Sequence, residues 1–201
     1  MSTTGTVRGN YAKTAKRRRV ILEASLDVFS NSGYRNGSIR EIAEKVGISQ
    51  AGLLHHFSSK SALLAAVLDL RDDEARVRIP VDPVTGIDTI RGFVDLVEYN
   101  ASIPGLVELY CVLSAEATSA EHPAHQYFVD RYTYTIGITT EAFEIMKANG
   151  DLQDRVVPHL AAQNLIALMD GLQVQWLLNR DSVEMVENVR RFVRGLLTVE
   201  L

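Results

Sequence analysis

The apolar positions of the chain recur at helical spacing from one end to the other. Ile21, Leu22, Ser25, Val28 and Phe29 form one stripe, which Asn31-Ser32-Gly33 closes. Ile39, Ile42, Ala43 and Val46 form a second, and Leu53 with Phe57, four apart, the buried side of a third. Leu63, Leu64, Val67 and Leu68 bury one face of a fourth, with Lys60 near its start. Pro80 and Pro83 then interrupt helix, so residues 79–86 divide a head from a body. From about Thr85 there is no strand-like alternation and no internal repeat. Ile90, Phe93, Val94 and Val97 mark one body helix, and Leu106, Val107, Leu109, Tyr110 and Leu113 another that Pro104 opens. Pro123 opens a long helix to Asn149, stopped by Gly150, and Pro158 opens one to about Asn179. Asp181-Ser182-Val183-Glu184 offers a cap for the last, whose stripe is Val186, Val189, Phe192, Val193 and Leu196. The pattern predicts an all-α chain of about nine helices.

The stretch SIREIAEKVGISQAGLLHHFSSK, Ser38 to Lys60, carries the most local information. Ser38-Ile39-Arg40-Glu41 is a capping box that starts a helix at Ile39. Gly47 directly follows Val46, where the chain needs a left-handed residue. Ile48 plugs the turn, and Ser49 caps a second helix from Gln50 to Phe57. Two helices joined by so short a turn make a helix-turn-helix, whose second helix enters the major groove of DNA.

From about Arg18 to Leu70 the sequence resembles the TetR family of bacterial transcription regulators. The resemblance rests on Phe29, Gly33, Ser38, Ile42-Ala43, Gly47-Ile48-Ser49, His56-Phe57, Ser59-Lys60 and Leu63, in that order. It implies a three-helix DNA-binding head and a larger helical body for ligand binding and dimerisation. The motif DGLQVQWLL, from Asp170, is similar to the penultimate helix of many members. Two positions depart from the pattern. Gly52 stands where many relatives carry a hydroxyl residue, and Leu54 where they carry a phosphate-contacting tyrosine.

Net charge is −4, but its distribution matters more. Residues 1–60 hold ten Lys/Arg against four Asp/Glu, net +6, and the remainder 11 against 21, net −10. A basic head on an acidic body puts the polyanion contact at one end. Candidate DNA-contacting residues are Arg17, Arg18, Ser38, Arg40, Ser49, Gln50, Ala51, Gly52, Leu54, His56 and Lys60. Gln50 suits a base edge, Leu54 a thymine methyl, and His56 a phosphate or base. Lys60, at a helix N-terminus, suits a phosphate clamp.

In the body, Phe93, Val97, Tyr110, Phe128 and Tyr132 are the candidate lining of a pocket for a small effector, with phenol hydroxyls orienting an apolar molecule. Leu168, Gly171, Leu172, Val189, Phe192, Val193 and Leu196 are the candidate interface of a homodimer built as a four-helix bundle. Arg71-Asp72-Asp73-Glu74 reads as a solvated exit from the fourth helix, Cys111 as a small core residue. His122 and His125, with Glu121, supply too few ligands for a metal site. There is no nucleophile elbow, phosphate-binding glycine loop or H-E-x-x-H, so no catalytic set and no cofactor is expected.

The N-terminus has no apolar signal region, no 18-residue apolar run occurs, and the single cysteine fits a reducing cytoplasm. The expected plan is a disordered arm over residues 1–13, a helix-turn-helix domain over 14–60, a connecting helix over 61–78 and the helical body over 79–201. The expected function is a ligand-responsive regulator, a repressor released from a palindromic double-stranded DNA operator by a small apolar or aromatic molecule. The alternatives are an activator, or a ligand-independent architectural or partner-recruiting DNA-binding protein.

Overall fold

The computed structural model describes residues 5–79 and 84–201, with 5–13, 74 and 75 in backbone only. Among the described residues lie nine α-helices and no strand. They are α1 (Gly5–Asn36), α2 (Ile39–Lys45), α3 (Gln50–His56), α4 (Lys60–Arg76), α5 (Ile87–Ala101), α6 (Pro104–Glu116), α7 (His125–Asn149), α8 (Pro158–Leu178) and α9 (Met185–Arg194). The chain divides into two compact units with the break between Leu70 and Arg71, inside α4. That is earlier than the break expected at residues 79–86, of which Pro80 and Pro83 lie outside the described residues.

In the first unit α1 reaches back to Gly5, so residues 5–13 have helical backbone where polar composition suggests a disordered arm; residues 1–4 lie outside the described residues. Once a helix is nucleated, each further residue adds a hydrogen bond at little cost. The far end breaks at Gly33, whose φ of 70° no other residue adopts cheaply. Ile21, Phe29, Ile42, Leu53 and Leu63 are fully buried and form the centre of this unit's core. A Cβ on Gly37 would sit 3.0 Å from both the Gly33 carbonyl oxygen and Phe29 Cδ1, so the entry to α2 runs this close to α1 only with glycine there.

In the second unit α8 packs on α6, α7 and α9, and α5 packs on α6, α7 and α9. Phe93, Phe143, Leu165, Val189 and Val193 lie at the centre of its core. The last helix starts at Met185 with Glu184, the final residue of the Asp181-Ser182-Val183-Glu184 stretch, at the N-cap. The Ser182 hydroxyl donates instead to the Asn179 carbonyl, 3.3 Å away, and serves the turn after α8. No helix of the described residues is long and apolar enough to cross a membrane.

Candidate functional site

The turn between α2 and α3 is closed by backbone bonds at both levels. The Gly47 N–H donates to the Glu44 carbonyl (3.1 Å) and the Ile48 N–H to that of Ala43 (3.0 Å), with Gly47 at φ 69°. Ser38 Oγ accepts from the Glu41 N–H and Ser49 Oγ from the Gly52 N–H, each at 3.0 Å, so both serines cap their helices. A Cβ on residue 52 would lie 3.2 Å from Ser49 Oγ, which gives Gly52 a local reason. Leu53 and Phe57 are buried and anchor α3. Its other side carries Gln50, Ala51, Leu54 and His55, all exposed, with His56 half-buried beside them. Leu54 is 38% exposed, a large apolar side chain left facing out.

The cations around α3 do structural work as well. Arg18 donates to the His56 carbonyl at 2.5 Å and its guanidinium lies 4.2 Å over the Phe57 ring, so it holds the C-terminal end of α3 against α1. Lys60 donates to the Arg35 carbonyl (3.2 Å) and lies over the Tyr34 ring (4.5 Å). Arg40 pairs with Glu44 at 2.8 Å on the same helix, and Lys45 pairs with Asp27. Arg17 is exposed. Burial, then the charges on His55, Arg18 and Arg17, lower the His56 pKa, so its free form carries less positive charge near neutrality than an ordinary histidine.

The second unit holds a cavity of about 30 Å³ lined by Arg71, Phe93, Leu96, Asn100, Tyr110, Arg131, Tyr132, Thr135, Ile166, Met169, Asp170 and Gln173. It brings together three of the five expected pocket residues, Phe93, Tyr110 and Tyr132. Val97 and Phe128 are buried outside the lining. Phe128 stands behind it, its ring 5.3 Å from that of Tyr110 and 6.5 Å from that of Tyr132.

The polar side of this cavity is what the sequence reading missed. Arg71 is not a solvated exit residue: it is 7% exposed, stacked 4.2 Å over the Tyr110 ring. Asp72 pairs with Arg131 and accepts from the Tyr127 hydroxyl at 2.9 Å. Tyr132 donates to Asp170 Oδ2 at 2.7 Å, and Arg131 Nε to the Tyr110 oxygen at 3.4 Å. Burial works against the Arg131 charge, but Tyr110, Tyr127 and Asp72 outweigh it and its pKa is raised. Burial raises that of Asp170, partly offset by its hydrogen bond from Tyr132 and by the two arginines. The signal for all this was faint: two arginines and two aspartates scattered over a hundred residues, each with a bland surface reading.

Other expectations meet definite positions. Leu172, Val189 and Val193, three of the expected dimer-interface residues, are 6%, 0% and 0% exposed and belong to this chain's own core, with almost no surface left to offer a partner. Leu168, Phe192 and Leu196 are half-buried against that core. Gly171 is exposed, with open space where a side chain would be. Burial, then the charge on Asp170, pushes the Cys111 thiol up to about 11, which suits a half-buried packing residue rather than a reactive thiolate. His122 accepts from the Ala124 N–H at 3.2 Å with Glu116 3.6 Å from its other nitrogen, and His125 faces the Ala117 carbonyl at 2.8 Å. Among the described residues no three metal-ligating side chains converge.

Residues 21–67 match the family described as bacterial regulatory proteins, tetR family. The chain is 38% identical over 74 residues to the HTH-type transcriptional regulator UidR of Escherichia coli K12, a match covering 35% of this chain and 37% of that one. It is 25% identical over 198 residues to the HTH-type transcriptional regulator TtgR of Pseudomonas putida, covering 93% and 92%. A transcriptional regulator from Saccharomonospora viridis, solved in complex with choline, superposes with a TM-score of 0.76 at 23% identity over 92% of this chain and all of that one. The capped helix-turn-helix and these matches agree over the head: residues 21–67 carry the DNA-binding region of the tetR family of bacterial regulatory proteins, and the chain as a whole is similar to regulators of that kind.

Proposed function

We propose that the protein is a homodimeric DNA-binding transcriptional regulator and not an enzyme, acting in the cytoplasm as a repressor released from a palindromic operator by a small molecule. The observation that carries the reading is the exposed face of α3, Gln50, Ala51 and Leu54, held by buried Leu53 and Phe57 beside the cations of a +6 head. Base-edge contact falls to Gln50 and Leu54, and backbone contact to Arg17, Arg18, Arg40 and Lys60 with the capped turns at Ser38 and Ser49. Arg18 and Lys60 are pre-ordered by their present partners, which lowers the entropy lost when a phosphate arrives.

A dimer would present two such helices roughly 34–36 Å apart, or a multiple, to meet successive major grooves. The seam we assign is the outer stripe of α8: Leu160, Ala167, Gly171, Val174 and Leu178, spaced by seven, four, three and four residues and all exposed in the single chain. Leu160, Val174 and Leu178 are 54%, 48% and 82% exposed, more apolar surface than a solvated helix keeps without a partner. Control follows as a population shift: an effector in the cavity favours the state with the weaker DNA affinity, by its difference in affinity for the two states. Choline, bound by the Saccharomonospora viridis neighbour, is a poor candidate here because its cation would meet Arg71 and Arg131.

The test is a gel-shift comparison of the chain's own upstream promoter with random duplex at modest salt. The promoter should bind at least ten times more tightly, and Gln50→Ala should redistribute preference among half-site variants while leaving non-specific binding intact. Equal affinity for promoter and random duplex refutes the reading.

A further inference from the structure

Arg71 is the one buried side chain of this cavity with donors left over among the described residues. Its Nε and Nη1 are shielded from solvent and have no hydrogen-bond partner. Asp72 Oδ1 lies 3.5 Å from Nη1, near enough for charge attraction but too far for a formed bond, and the oxygens of Asp72 already accept from Arg131 and Tyr127. Arginine stays protonated in proteins, so this is a buried cation with an incomplete set of acceptors. An arrangement like that costs stability unless something completes it. Arg71 also lines the cavity, whose remaining wall is apolar or aromatic on one side: Phe93, Leu96, Ile166 and Met169.

We propose that the cavity binds the carboxylate of a small organic monoacid, with Arg71 as its counter-ion. The inference rests on reading this cavity as the effector site, and it names the effector's class: a single carboxylate on a compact apolar or aromatic body. The charge count limits it to one negative charge. Arg131 is committed to Asp72, so Arg71 alone is available, and a dianion would also face Asp72 and Asp170 at close range. Burial and the neighbouring Arg131 both disfavour the Arg71 charge, an imbalance that a bound anion relieves. The Tyr110 ring under the guanidinium fixes its plane, and Asn100 and Gln173 are further polar wall residues that can orient the acid. A cavity of about 30 Å³ is far below the roughly 150 Å³ of a cavity that admits benzene. The acid's body therefore enters by displacing wall side chains, and Met169, unbranched and adaptable, is the one best able to move.

The experiment uses matched sets on the full-length protein: benzoate, benzamide, benzyl alcohol and benzylamine, the corresponding phenylacetate set, and inorganic phosphate and sulfate. Thermal shift and titration calorimetry read binding in the wild type and in Arg71→Met, which removes the under-satisfied charge and keeps the length of the stem. The expected result is that at least one carboxylate binds ten-fold or more tightly than its amide, alcohol and amine, and that Arg71→Met abolishes the difference. The ligand-free variant should melt no lower than the wild type. The inference is overturned if amide or amine binds as well as acid, if only the inorganic dianions bind, if no compound binds, or if a folded Arg71→Met keeps the acid preference. The wild-type comparison of acid with amide stands even where the variant does not fold. A monoacid that binds through Arg71 yet leaves promoter affinity unchanged refutes the effector role and leaves the site itself intact.

Discussion

Removing the charge of Asp72 is the sharpest test of how the second unit is built. Asp72 and Arg131 are each 16% exposed, so solvent screens their pairing little. Asp72→Asn keeps the shape and one acceptor but removes the carboxylate charge that Arg131 bonds directly. Arg71, whose Nη1 lies 3.5 Å from Asp72 Oδ1, then faces Arg131 without that carboxylate to offset the repulsion. Breaking a buried pair by removing one partner costs about 3–5 kcal/mol, because the surviving charge is left in a medium that solvates it poorly. For a unit of about 130 residues that is a fall in melting temperature of about 10–20 °C. Circular dichroism melts and urea titrations measure it. The double variant Asp72→Asn with Arg131→Met removes both charges, and its loss should be smaller than the sum of the single losses by about 1 kcal/mol or more. A loss below about 1 kcal/mol for Asp72→Asn, or strict additivity in the double variant, would show that water reaches the pair and that the cavity's polar wall is not a low-dielectric site.

Two further outcomes follow from the head and from α8. If His56 meets a DNA phosphate, the complex favours its charged form while the free protein disfavours it, so binding takes up a proton. Promoter affinity should therefore rise as pH falls from about 8 to about 6, across the ordinary histidine range. The stability of the free protein runs the other way: the unfolded chain binds that proton more readily, so stability is lost on acidification. His56→Gln should flatten the affinity profile, and a profile that keeps its slope assigns the proton to another group. Val174→Arg, on the exposed stripe of α8, should convert a dimer to a monomer in sedimentation runs at micromolar concentration with unchanged helicity. A variant that still sediments as a dimer places the seam elsewhere.

The sequence by itself determined the all-α class, the starts of α2, α3, α6 and α8, and the helix-turn-helix, because those signals act within a few residues. Ser38 reaches the Glu41 N–H, Ser49 the Gly52 N–H, and Gly47 its positive φ without help from the rest of the molecule. The exposed face of α3 was legible for the same reason, since Leu53 and Phe57 are the only large residues there that share its buried side with the required spacing. Only the tertiary structure decided which apolar face of α8 turns inward. That helix is apolar on more than one side, and periodicity cannot tell the Leu165–Leu172 face from the Leu160–Val174–Leu178 face. The tertiary structure likewise made Arg71 a buried residue. A charged side chain at a helix end reads as solvated until the aromatic ring of Tyr110 and the Asp72–Arg131 pair, from positions up to 60 residues away, close over it. Local chemistry is written in neighbouring residues, whereas desolvation depends on which distant segments arrive.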